Sequence, residues 1–254
     1  MEVDRKSAAA SPASKARAPL SSDERADALE EAMMKELGKP AVRRGTGLIF
    51  GGLTPVGLPL ALAALAPMPP KPTIVDFFKL RFMPHTVTHM LQSANDARKK
   101  GESEETVIAC LLHDIAVNLI KVDHGWWAAQ MLEPYVSEKV SWAIRHHQAL
   151  RFFPDPSVGY GYPERYIQIF GEGYVPEPYI EAAYEQARKH KWYMEARMIT
   201  VHDLYAFEPG VNPTLEPFLD VIGRHFKQPR EGLGFDGSSV AHMWRSLIYP
   251  DNPL

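Results

Sequence analysis

Cysteine is almost absent from this sequence. The one thiol, Cys110, rules out a disulfide within the chain and fits a reducing compartment, so a cytoplasmic location is expected. Neither sign of charge dominates, and a net charge of -3 gives no electrostatic reason to expect nucleic acid as a partner. Alternating runs of β-branched residues are missing, which argues against a substantial sheet. No internal repeat is present, so a solenoid is excluded. A clean membrane-length apolar run is also lacking. The nearest thing, residues 47–67 after Arg43-Arg44, is interrupted by Gly51-Gly52, Pro55, Gly57 and Pro59. Two readings of that stretch stay open: a membrane contact or late export signal ending at Ala64-Leu65-Ala66, and the favoured one, an apolar arm laid on its own domain or on a second copy in a homo-oligomer.

What is present suits a globular protein with a sizeable core: 254 residues, 45% hydrophobic and 23% charged. Residues 1–22, rich in Ala, Ser, Lys and Pro, read as a disordered tail. Residues 23–72 read as a helix, Arg25 to Leu37, followed by the apolar arm and a stiff connector with Pro67, Pro69, Pro70 and Pro72. Beyond Thr73 the spacing of apolar residues is helical. It predicts helices over Ile74 to Lys99, from Ser103 through His113-Asp114, from Asp123-His124 to Glu133, over Ser137 to Leu150, and over roughly Pro178 to Lys189, Trp192 to Phe207 and Thr214 to Phe226. Pro154 to Pro163 reads as a long loop. The expected fold class is all-α, with one domain over 73–226 and a C-terminal tail, 227–254, packed on it.

The chemistry is expected where polar residues interrupt apolar faces. In Ala109-Cys110-Leu111-Leu112-His113-Asp114-Ile115 an imidazole and a carboxylate enter an otherwise apolar run. Buried there, they would cost several kcal/mol unless something satisfied them. Metal ions accept both ligand types. His89 lies in a similar setting, His124 opens its helix, and Asp203 sits in Ile199-Thr200-Val201-His202-Asp203-Leu204. On the Ser137–Leu150 segment Val136, Val140, Ala143, His147 and Leu150 share a stripe, which turns His147 inward and His146 away by about a quarter turn. Any one of these alone reads better as a hydrogen-bonded core residue. Six across five helices hold enough donors for two ions.

The order His89…His113-Asp114…His124…His147…Asp203 resembles that of the HD-domain superfamily, an all-α fold of metal proteins, over about Ile74 to Phe207. The two intervening histidines are similar to those of its two-metal subset. Within it, Thr88-His89-Met90-Leu91-Gln92-Ser93-Ala94, Ile144-Arg145-His146-His147 and Asp203-Leu204-Tyr205 resemble motifs of the mixed-valent di-iron oxygenases, the branch that oxidises inositol or cleaves phosphonates. The resemblance implies His89, His113, Asp114, His124, His147 and Asp203 as metal ligands, with Asp114 bridging. It places Asp114 and His146 as catalytic residues, and Arg151, His146 and Asn118 as substrate contacts. The implied cofactor is a mixed-valent pair of irons acting with dioxygen on a small hydroxylated substrate. Manganese or zinc in the same cage would activate water instead.

The sequence departs from that pattern where a substrate anion would be held. After His113-Asp114 it continues Ile115-Ala116-Val117-Asn118, without the Gly-Lys usual in the superfamily, and a basic position before the last Asp is Thr200. Arg151, one turn beyond His147, is the remaining cation. A phosphonate substrate is therefore not expected. The leading expectation is a di-iron oxygenase; the alternatives are a metal-dependent phosphohydrolase and a non-catalytic metal-binding domain. The aromatic residues Trp126, Trp127, Trp142, Phe152, Phe153, Tyr160, Tyr162 and Tyr166 read as packing, or as an apolar substrate pocket lidded by Pro154 to Tyr166.

Overall fold

Thr73 starts the first described helix with a reciprocal cap: its hydroxyl accepts from the Asp76 N–H, and Asp76 Oδ2 accepts from the Thr73 N–H at 2.8 Å. The structure is a computed structural model and describes residues 65–249, apart from 121, 122 and 205 and the side chain of Arg165. The expected tail, the helix over 25–37 and most of the arm over 47–67 lie outside the described residues.

Ten α-helices run through the described part: α1 Ile74–Leu80, α2 Pro84–Lys99, α3 Glu104–Leu112, α4 His124–Leu132, α5 Glu138–Leu150, α6 Glu164–Phe170, α7 Pro178–Ala187, α8 Tyr193–Leu204, α9 Leu219–His225 and α10 Ala241–Ile248. Two 3₁₀ turns, Pro156–Val158 and Glu216–Phe218, complete the set, and the described residues contain no strand beyond one isolated bridge between Asp155 and Tyr160. The fold is all-α. None of the described helices is long and apolar enough to cross a membrane.

α5 is central. It packs on α3, α4, α7 and α8, while α2 lies against α3 and α8. Ser103 and Ser137 accept hydrogen bonds from the N–H groups of Thr106 and Val140, so the serines start α3 and α5 where the sequence places them. Ile108, Leu111, Leu112, Met131, Leu132 and Ile144 are fully buried and fill the space between these helices.

Four segments differ from expectation. The helical stretch 74–99 is two helices, because Pro84 takes the first position of α2 and cannot continue a helix from α1. At that break Arg81 Nε donates to the Leu247 carbonyl at 2.9 Å, tying the corner to α10. The segment after Pro163 forms α6, and only Leu219–His225 of the stretch 214–226 is α-helical, since Pro217 favours a 3₁₀ start. Helix α10, in the stretch expected to be a tail, buries Trp244 completely. The Trp244 indole N–H donates to the Met131 carbonyl at 3.1 Å, and the ring meets Phe77 edge-on at 4.8 Å.

Candidate metal centre

Helix α3 stops at Leu112, so His113 and Asp114 sit at its C-terminal end rather than in its interior. Beyond them the chain tightens into turns in which the N–H of Val117 reaches the carbonyl of Asp114, and that of Leu119 the carbonyl of Ala116. His113 Nδ1 donates to the Cys110 carbonyl at 2.7 Å, an acceptor freed by the helix end. Both side chains thereby face the junction of α2, α4, α5 and α8.

Those helices bring the other four residues. His89 comes from the middle of α2, His124 from the first position of α4, His147 from the last turn of α5 and Asp203 from the end of α8. All six are buried, His113 and His147 completely. Asp114 faces two ways. Its Oδ2 lies 3.4 Å from His89 Nε2, while Oδ1 lies 2.9 Å from His124 Nε2 and 3.7 Å from His147 Nε2. Asp203 Oδ1 is 3.0 Å from His89 Nε2. His89 and His113 present Nε2 atoms 3.3 Å apart, as do His124 and His147 at 3.2 Å. Donors that share one ion at about 2.1 Å stand roughly 3 to 3.5 Å from each other, which is the spacing of this cluster.

The donor chemistry fits metal as well. His89, His113 and His147 each direct Nδ1 at a main-chain carbonyl, those of Ala206, Cys110 and Ile144, at 3.0, 2.7 and 2.6 Å. A ring that donates through Nδ1 keeps a lone pair on Nε2, and here every such Nε2 points inward. Asp114 Oδ1 and Asp203 Oδ1 are buried acceptors without a hydrogen bond. Facing lone pairs and orphaned carboxylate oxygens repel one another unless a cation lies between them. Two groups in particular, His89 with His113 and Asp203, and His113 with Asp114 and His147, hold donor atoms within 4.8 Å of one another.

Without metal, protons take part of that role. Burial works against a charged His89, but Asp114 and Asp203 more than offset it and raise its pKa to about 10. Burial pushes His113 down to about 4 and lowers His147. Burial also pushes the Asp114 carboxyl up, yet His113 and His124 hold it well below the ordinary carboxylate range. Asp203 is likewise held low against its burial, chiefly by Arg151.

Arg151, Asn118 and His146, expected to contact substrate, have partners within the protein. Arg151 Nε donates to Asp203 Oδ2 at 2.6 Å, and Nη2 contacts the same oxygen, so its charge is engaged by a cluster residue. Asn118 Nδ2 donates to Thr86 Oγ1 at 2.7 Å, which secures α2 one turn before His89. His146 is buried too, but its ring lies on Trp142 with centroids 4.4 Å apart, and the structure does not bring it into the cluster.

The sequence reading missed Gly125, Phe207 and Asp123. A Cβ at Gly125 would meet the Ile144 carbonyl at 2.7 Å and His147 Cε1 at 2.9 Å, so glycine lets α4 approach the imidazole of α5. A glycine directly after a candidate ligand was the available signal. Phe207 stacks on His89 with centroids 4.5 Å apart, just past a motif whose Tyr205 lies outside the described residues. Asp123 adopts a left-handed conformation, φ 59°, that turns the chain into His124.

Residues 86–166 match the HD domain family. The matched stretch is about a third of the chain and is similar to HD domains. The match includes His89, His113, Asp114, His124, His147 and Arg151, while Asp203 is supplied by α8, beyond it. HD domains bind divalent metals, and the buried cluster described above has donors and spacing that could hold a metal ion. No curated protein sequence matches the chain.

Proposed function

We propose that this HD domain is a dinuclear metal enzyme, an oxygenase that uses two irons and dioxygen to oxidise or cleave a small hydroxylated organic substrate. The observation that carries the reading is Asp114: one oxygen faces His89 and the other faces His124 and His147, as a carboxylate shared between two ions requires. When bound, a pair of irons supplies redox chemistry toward dioxygen and Lewis acidity toward a substrate oxygen. The chain's own residues do the rest. Asp114 stays ionised at neutral pH beside its histidines. Arg151 holds Asp203 by Oδ2 and leaves Oδ1 toward the cluster. A cavity of about 350 Å³ opens beside Asp203, walled by Tyr160, Tyr166 and Phe207, and gives a small substrate a place from which water is displaced.

The family match supports a second reading, a metal-dependent phosphohydrolase. Such an enzyme has to neutralise charge developing on the transferred group, usually with a cation in addition to the metals. Arg151, the cation lining this cavity, is already paired with Asp203, and that favours the oxygenase.

Anaerobic purification with elemental analysis and EPR tests the reading. Close to two irons per chain are expected, with a mixed-valent signal on partial reduction, and His124→Ala or His147→Ala should remove mainly one ion. A single ion in fully loaded wild type would end the dinuclear proposal. Robust nucleotide hydrolysis by the manganese or zinc form, abolished by Arg151→Ala, would put the hydrolase first.

A further inference from the structure

The cavity beside Asp203 has a mainly apolar wall, formed by Pro163, Leu204, Phe207 and the rings of Tyr160 and Tyr166. Its polar groups are nearly all committed. Arg151 gives Nε and Nη2 to Asp203. The Tyr160 hydroxyl donates to the Arg151 carbonyl at 2.9 Å, and Thr200 Oγ1 donates to the Arg197 carbonyl at 2.7 Å. Of the three hydroxyls lining the cavity, only that of Tyr166 is not hydrogen-bonded to a described residue.

This arrangement is selective. A phosphate dianion would find no protein cation in the cavity beyond Arg151, whose charge Asp203 already balances, and displacing Asp203 from that pair would strand a buried carboxylate, so the metals would have to hold the dianion alone. A polyol would bury several hydroxyls against Leu204, Phe207 and Pro163, which offer no partner, and each unpaired group costs binding energy. An apolar body, by contrast, gains from displacing water from that wall.

We propose that the cavity selects a compact hydroxylated compound with an aromatic or branched apolar body and at most one negative charge, and that the Tyr166 hydroxyl is its protein hydrogen-bond partner. The inference rests on the dinuclear reading for the substrate's oxygen but concerns the chain's own lining residues. Phenolic, benzylic and short branched hydroxy acids fall in this class; phosphorylated compounds and cyclitols do not.

Calorimetry on the metal-loaded full chain tests it, with mandelate, myo-inositol and phosphoglycolate as probes and metal content measured on each sample. Mandelate should bind at least tenfold more tightly than the other two. Tyr166→Phe should weaken mandelate about fivefold, the loss of one hydrogen bond, at unchanged metal content. Leu204→Lys, which adds a cation to the wall, should weaken mandelate and admit phosphoglycolate. If wild type holds two metals yet binds phosphoglycolate or inositol as tightly as mandelate, or fails to bind mandelate, the proposed class is wrong and the dinuclear reading stands. If mandelate is selected by a protein holding one metal, the class stands and the dinuclear reading falls. An unchanged mandelate affinity in Tyr166→Phe removes the role assigned to that hydroxyl.

Discussion

Arg151 grips a single oxygen of Asp203. The two residues are 52 positions apart, and Nε donates to Oδ2 at 2.6 Å while the other carboxylate oxygen, Oδ1, lies 3.0 Å from His89 Nε2. The guanidinium thus acts on the cluster through Asp203, holding one oxygen of that carboxylate and leaving the other toward His89. Arg151→Ala should cost the folded protein about 2–3 kcal/mol, as expected when one partner of a largely buried ion pair is removed, and should lower metal content. Arg151→Lys keeps the charge without the paired donors and should fall between the two. Denaturant melts with elemental analysis would read both effects, and a fully metal-loaded Arg151→Ala protein of wild-type stability would refute the positioning role.

Metal loading should release a proton from His89. In the metal-free protein this imidazole has its pKa raised to about 10, against an ordinary 6.5, so at pH 8 it is protonated. A raised folded pKa contributes stability that is fully present below about 6.5 and is lost as pH climbs toward 10. Metal-free protein should therefore weaken between pH 7 and 10, while loaded protein, whose His89 has already given up the proton, should not show that slope. Calorimetric titration in buffers of different ionisation enthalpy at pH 8 should find a proton released, and His89→Gln should abolish it. A release unaffected by that substitution would assign the proton elsewhere.

Gly125→Ala should disturb the site through packing alone. The added methyl would stand 2.7 Å from the Ile144 carbonyl and 2.9 Å from His147 Cε1, so α4 and α5 would have to separate. A cost of about 1–3 kcal/mol is expected, with a reduced metal content on the His124–His147 side. Gly161→Ala, at a position open to solvent, is the control. Equal metal content in the two variants would show that the close approach is dispensable.

His146 should matter to acid stability rather than to metal binding. Burial first, then the neighbouring Arg145, lowers its pKa to about 4. The unfolded chain takes up that proton near 6.5, so it binds more protons than the folded chain between pH 6.5 and 4, and stability falls as pH drops through this window. Metal-free His146→Gln should show a shallower decline than metal-free wild type, and should load metal normally at neutral pH. A decline of unchanged steepness would place the titration on other groups, and lost metal would return His146 to the site.

Much of the architecture follows from short-range patterns. Ser103 and Ser137 cap α3 and α5 in the structure because a side-chain oxygen satisfying an N–H three residues on is a local event. The candidate ligands stand out for a related reason: an imidazole or carboxylate inside an apolar face is anomalous wherever the face is packed. The end of α3 was harder to read, since Leu111-Leu112-His113-Asp114-Ile115 continues a helical apolar pattern. The helix nevertheless ends at Leu112, and His113 and Asp114 stand just past it.

By itself, the sequence determined the all-α class, the central caps and the set of polar residues carried on apolar faces, because periodicity and capping act within a few residues. Only the tertiary structure decided what those residues meet. Asp114 faces two groups of histidines because α2, α4 and α5 converge on the end of α3. Arg151 and Asn118, both expected to contact substrate, are paired with Asp203 and Thr86. His146, one residue from His147, packs on Trp142. Each of these outcomes depends on which long-range neighbour stands within about 3–4 Å, and electrostatic and hydrogen-bond energies change sign or vanish over that range.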